Sequence, residues 1–151
     1  MEKSMSDPVH VVCPHCDAVN RIASERLADQ PVCGKCSNAL FVARPFDVDS
    51  ARFAKHLGRN DIAVLVDFWA PWCGPCKVMA PAYQQAAQQL EPGMRLLKVD
   101  TEQAPDLAAR FNIRSIPTLA LFRHGREIAR QAGALDARGI VAWTRTHAGG
   151  A

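Results

Sequence analysis

The residues best suited to chemistry are six cysteines, and they are not scattered. They form three Cys-x-x-Cys pairs: Cys13/Cys16, Cys33/Cys36 and Cys73/Cys76. Sixteen residues separate Cys16 from Cys33, and thirty-six separate Cys36 from Cys73, so the first two pairs belong together and the third stands apart. Residues 1–8 hold Glu2, Lys3 and Asp7 and lack the apolar stretch of about 7–15 residues that a secretory signal needs. The expectation is a loose tail over 1–8 and a cytoplasmic protein with reduced thiols. In such a compartment, Cys pairs point to metal binding or redox chemistry rather than to structural disulfides.

Cys13-Pro14-His15-Cys16 and Cys33-Gly34-Lys35-Cys36 give C-x2-C-x16-C-x2-C, a zinc-site spacing. A tight two-residue turn aims both thiolates of a pair at one ion, and a second such turn completes a tetrahedron. Short strands are expected at Val9–Val12 and Ala39–Val42. The piece holds few large apolar residues, so bound metal would supply folding free energy. This unit, residues 9–43, resembles a zinc ribbon. Iron in a rubredoxin-like site would use the same ligands, and two redox-active disulfides are a further reading. His10 or His15 could replace a Cys ligand, but four Cys at this spacing suffice for a closed structural site, and the two His are expected at the surface or just outside the ligand set.

Around the third pair the pattern changes. Ile62–Trp69 is an apolar, β-branched run that reads as a buried strand. It runs directly into Ala70-Pro71-Trp72-Cys73-Gly74-Pro75-Cys76-Lys77, after which Cys76, Met79, Ala80, Tyr83, Ala87 and Leu90 recur at helical spacing. Cys73 therefore stands where a strand ends and a helix begins. Pro81 is expected to kink that helix. Further elements are expected at Ser50–Leu57 (helix), Met94–Val99 (strand) and Pro105–Phe111 (helix). Thr118–Phe122 and Glu127–Gln131 read as a hairpin around His124-Gly125-Arg126. A last helix capped by Asp136 would turn Ile140, Val141 and Trp143 inward. Residues 44–151 thus read as an α/β fold with a mixed sheet flanked by helices.

WCGPCK after VLVDFWA, then SIPT, then a glycine in a hairpin resembles the thioredoxin family. The likeness runs from about Val48 to His147. With the four-Cys unit in front, the whole chain resembles the bacterial zinc-binding thioredoxin 2 type. That resemblance implies a protein-disulfide reductase. Cys73 would be the nucleophile, its thiolate favoured by the unpaired amides and dipole of the helix start. Thioredoxin is the standard instance of such a thiol, with a pKa of about 7. Cys76, one turn along and deeper, would resolve the mixed disulfide. Asp67, inside an apolar strand, would act as a base for Cys76; from the residues alone it could equally be a strand-end carboxylate in water. Trp72, Gly74, Pro75, Ile116, Pro117 and Gly133 would bind substrate, with Ile116-Pro117 at the family's cis-proline position; Trp72 could instead be simple packing, and Trp69 is expected in the core. Many thioredoxins place a Lys beside the buried Asp. Here Leu96 takes that place, with Lys98 two residues on.

The implied partners are an NADPH-dependent thioredoxin reductase and protein disulfides, and the implied cofactor is one structural zinc on Cys13, Cys16, Cys33 and Cys36. No Gly-x-Gly-x-x-Gly is present, so no bound nucleotide or flavin is expected. The net charge of +3 is too small and dispersed for nucleic acid, and no apolar run is long enough to span a membrane. A monomer is the default for a site open to protein partners. An alternative reading makes the zinc thiolates a redox sensor or interaction module, with the C-terminal domain as output.

Overall fold

The computed structural model describes residues 7–149. The expected tail falls outside the described residues as far as residue 6. Asp7 and Pro8 belong to the fold instead: the Ser24 amide donates to Asp7 O (3.2 Å), and Pro8 opens β1 (Pro8–Val12). β1 pairs antiparallel with β2 (Val19–Ala23) in a two-stranded sheet. The strand expected at Ala39–Val42 does not form, and Ala39 makes only a single bridge to Val32. That bridge is made by the Leu40 amide donating to Pro31 O (3.0 Å) and the Cys33 amide to Asn38 O (2.8 Å), and Ala43 then turns the chain with φ +58°. The second strand lies in the spacer, where Asn20 and Arg21 break the apolar pattern that would have marked it.

The larger domain runs β3 (Phe46–Asp47), α1 (Ser50–Arg59), β4 (Ala63–Trp69), α2 (Gly74–Leu90), β5 (Met94–Asp100), α3 (Pro105–Arg110), β6 (Thr118–Arg123), β7 (Arg126–Ala132) and α4 (Ala137–Gly149). Its five strands stand in the order β3-β5-β4-β6-β7. The first three are parallel, and β6 and β7 run antiparallel to their neighbours. α1 extends two residues past the expected end, started by Asp49, whose carboxylate accepts the Arg52 amide (2.9 Å). α2 continues through Pro81 to Leu90. Asp136 caps α4 by accepting the Gly139 amide (2.8 Å).

Alternation along β4 builds two core layers. Ala63 and Leu65 pack with Met79, Tyr83, Leu96, Leu119 and Ile140 beneath α2 and α4. Val64, Val66 and Phe68 face the other way, against Phe53, Leu57 and Leu107 of α1 and α3. Tyr83 Oη lies 2.8 Å from Leu97 O and 3.0 Å from Leu65 O, so its single proton is shared between carbonyls of two adjacent strands.

The N-terminal module is tied to this domain through polar groups with defined partners. The Val12 amide donates to Asn60 Oδ1 (2.7 Å) and the His10 amide to Asp61 Oδ2 (2.7 Å). Asp17 receives Arg52 Nε (2.9 Å) and lies 3.0 Å from His56 Nε2. His56 Nδ1 faces the Asn60 amide nitrogen (3.4 Å), which assigns the proton to Nε2, and burial lowers the His56 pKa to about 4. Arg95 is fully buried. It pairs with Glu91 (3.3 Å), donates to Val12 O (2.9 Å), and lies over the Phe41 ring (4.9 Å to the centroid).

Candidate functional site

Two sites emerge, one in each part of the chain. In the module, Cys13, Cys16, Cys33 and Cys36 bring their sulfurs within 4.8 Å of one another. Cys13 and Cys36 Sγ are 3.6 Å apart, as are Cys16 and Cys33 Sγ. Four thiolates about 2.3 Å from one zinc would stand about 3.8 Å apart, so the cage fits. Both halves are built alike. The amides of His15 and Lys35 donate to Cys13 Sγ (3.3 Å) and Cys33 Sγ (3.4 Å). The residues after each pair, Asp17 and Ser37, take φ values of +64° and +68°. The amide of each leading Cys then donates to the carbonyl five residues on, Ala18 and Asn38. Two such turns bring the four sulfurs together, and as thiolates this close they would be stabilised by a cation among them. His10 and His15 supply no atom to this cluster.

In the larger domain, Cys73 and Cys76 are joined as a disulfide at the start of α2. Cys73 is the residue before the helix, and its sulfur takes the place usually held by a Ser or Asp oxygen, accepting the Cys76 amide (3.2 Å). Cys73 Sγ also lies 3.7 Å from Ile116 O. Residue burial hardly separates the two, at 4% and 3% exposed, so the expectation of a deeper Cys76 rests on its position within α2. Gly74 and Pro75 form the exposed first turn. Pro75 loses nothing there, because its amide would be unpaired in any case.

The Ile116–Pro117 bond is cis, and the Gly133 amide donates to Pro117 O (2.9 Å) with φ +96° at Gly133. Trp72 is 66% exposed, which excludes the packing role, and its indole donates to Glu102 Oε1 (2.8 Å). Trp72 and Ile116 line a groove of about 220 Å³ together with Ile113 and Arg114. Trp69 departs from the expected core position. It is half-buried at the end of β4, donates to Asp47 Oδ1 (3.0 Å), and carries the Lys98 ammonium over its ring.

Asp67 is 1% exposed on the strand face that α2 covers, and its Oδ1 has no hydrogen-bond partner. Burial pushes its pKa up to about 7, with Lys98 acting against the rise and Asp47 adding to it. Lys98, and not Leu96, is its register partner on β5; Leu96 pairs with Leu65. Asp47 and Glu102 escaped the sequence reading. Asp47 lies in a two-residue strand too short to leave a period, and Glu102 in a turn.

The model of the family described as Thioredoxin matches residues 44–146, and that described as Thioredoxin 2, N-terminal, a zinc ribbon, matches residues 12–38. The chain belongs to the thioredoxin family. "Thioredoxin C-3" of Corynebacterium nephridii is 44% identical over 133 residues, covering 88% of this chain and 91% of that protein. "Thioredoxin 1" of a Nostoc species is 43% identical over 88 residues, covering 58% and 82%. Among solved structures, a mutant thioredoxin from Halobacterium salinarum NRC-1 superposes with a TM-score of 0.64 at 27% identity, covering 72% of this chain and 94% of that one. The fold is the thioredoxin fold, and the chain is a thiol-disulfide oxidoreductase. Among the described residues, no helix is long and apolar enough to cross a membrane.

Two outcomes are expected from this geometry. Removing metal from the purified protein with a thiol-selective chelator should loosen β1 and β2 while β4–β6 keep their protection, as read by amide hydrogen exchange. Asp67→Asn should stabilise the protein as pH rises. The raised pKa means the folded state holds a proton between pH about 4 and 7 that the unfolded state releases, so wild-type stability falls through that window. The gain on substitution should be small at pH 4 and reach up to about 4 kcal/mol above pH 7, measured by urea unfolding at both pH values.

Proposed function

We propose that this thioredoxin is a cytoplasmic protein-disulfide reductase, monomeric, recharged by an NADPH-dependent thioredoxin reductase. Residues 9–43 act as a structural zinc module and 44–151 as the catalytic domain. The observation that carries the reading is the Cys76 amide on Cys73 Sγ at the start of α2. An anion there gains a hydrogen bond and the positive end of the helix dipole, and a neutral thiol gains less.

In the reduced protein, the Cys73 thiolate attacks one sulfur of a substrate disulfide. A Cys73–substrate S–S bond forms, the substrate S–S bond breaks, and one substrate thiolate leaves. An extended substrate segment lies along Ile116 and Pro117, against Trp72, Gly74, Pro75 and Gly133. Asp67 takes the proton of Cys76, whose sulfur attacks Cys73 Sγ. The mixed disulfide breaks, the second substrate thiolate leaves, and the Cys73–Cys76 disulfide holds the oxidation equivalent. A carboxyl titrating near 7 suits this transfer, since it can accept and return a proton at working pH. Zinc, when bound, would cross-link the two module turns through Cys13, Cys16, Cys33 and Cys36. A closed four-thiolate set has no open position for substrate, so no step passes through it.

The reading is tested by NADPH-coupled reduction of a model protein disulfide with a bacterial thioredoxin reductase. Cys73→Ser should abolish turnover. Cys76→Ser should stall as a mixed disulfide after one substrate thiol is released. All three proteins should carry about one zinc each. Absence of turnover in the zinc-loaded wild type would overturn the reductase assignment.

A further inference from the structure

Three charged residues stand abreast on the sheet face that α2 covers. Asp47 of β3 is the register partner of Lys98 on β5, and Lys98 is the register partner of Asp67 on β4. Register partners on parallel strands point to the same face, so the order across the sheet is carboxylate, ammonium, carboxylate. Trp69, two residues beyond Asp67 on that face, fastens the row. Its indole N–H holds Asp47 Oδ1 (3.0 Å), and its ring holds the Lys98 Nζ (4.6 Å to the centroid). The outer carboxylate is exposed and the inner one is buried. With the ammonium seated over the indole, Asp67 Oδ1 is left without a hydrogen-bond donor.

We infer that Asp47 is a positioning residue. Fixed by Trp69, it draws the Lys98 ammonium toward the outer edge of the sheet, and so sets the charge state of Asp67 and the pH at which Cys76 can be deprotonated. The inference rests on the proposed role of Asp67 as the base. One ammonium between two carboxylates cannot fully serve both. Seated over the indole whose N–H holds Asp47, it makes no ion pair with either carboxylate and stabilises the buried one only across a distance.

Few other charges reach Asp67. From α2 it is faced by Tyr83, whose proton is committed to Leu65 O and Leu97 O, and the Cys73–Cys76 pair at the start of that helix carries no charge as a disulfide. Its β6 partner is Leu119, and α4 brings the apolar Ile140 and Val141 to the same layer. Asp100, two residues beyond Lys98, lies at the end of β5 beside the Trp69 edge. The direction of the Asp67 shift, raised by Asp47 and opposed by Lys98, agrees with this arrangement.

The test uses the full zinc-loaded chain and three variants: Asp47→Asn, Lys98→Gln and the pair combined. Asn at 47 still offers an oxygen to the Trp69 N–H, so the strand geometry is kept. Two quantities are read: the titration midpoint of the Asp67 carboxyl carbon by NMR in the oxidised protein, and the acid limb of the pH profile for disulfide reduction. Asp47→Asn should lower the midpoint by about 0.5 on the pH scale, which raises the rate about threefold on the acid limb. Lys98→Gln should raise the midpoint, and in that background the Asp47→Asn effect should shrink. An unmoved midpoint in Asp47→Asn overturns the inference and leaves the reductase reading standing. An equal Asp47→Asn shift with and without Lys98 overturns the route through Lys98. A midpoint that moves while the acid limb stays fixed overturns Asp67 as the base, and the kinetic half of the inference with it.

Discussion

The Cys73 sulfur stands at the junction of β4 and α2, and the rest of the domain keeps it there. β4 is buried on both faces, so its position is fixed by two core layers at once. It ends at Trp69, and the chain enters α2 at Gly74, which leaves Cys73 as the residue whose side chain meets the free amides of the first turn. A sulfur accepting the Cys76 amide does there what a Ser or Asp oxygen does at other helices, with the difference that sulfur can ionise and react. Met79, Tyr83, Ala86, Ala87 and Leu90 seat α2 against the sheet, so the first turn cannot drift from the Ile116 carbonyl opposite. The exposed Trp72 and the small groove beside it lie at the same end of the sheet.

The N-terminal module relies on a different balance. Its own apolar residues are few: Val9, Val11 and Leu40 are buried with Cys13 and Cys33, and Ile62 from the larger domain completes the cluster. The module is therefore held by docking, and a metal ion on its four cysteines would cross-link it as well. Asp17 joins the two, because it follows Cys16 directly, takes the left-handed conformation that closes the first turn, and receives Arg52. Arg95 is a costlier element. A buried guanidinium is tolerated because Glu91, the Val12 carbonyl and the Phe41 and Phe46 rings surround it.

Much of this was legible from residue order. The three Cys pairs, the strand-to-helix position of Cys73 and the α/β order follow from spacing and periodicity, which the strongly apolar β4 and the helical repeat in α2 state clearly. What failed to show had weak local signals. β2 carries Asn20 and Arg21, and Ala39–Val42 looks more strand-like than it is, because its pairing stops at the single Val32–Ala39 bridge before the chain turns at Ala43. Trp69 reads as core from its apolar run, and only the sheet order reveals that Asp47 waits beside it at the edge. The row of Asp47, Lys98 and Asp67 unites residues from three strands, and no window of sequence contains it.

The central claim is that the helix start turns Cys73 into the reactive thiolate. The most direct measurement is the alkylation rate of each active-site cysteine in the reduced, zinc-loaded protein as a function of pH, with the modified residue identified by mass spectrometry. The account predicts a Cys73 rate that is half-maximal at a pH well below the roughly 8.5 of a free thiol, with Cys76 unmodified over the same range. A Cys73 profile centred at or above about 8.5, or a Cys76 that reacts first, would contradict it.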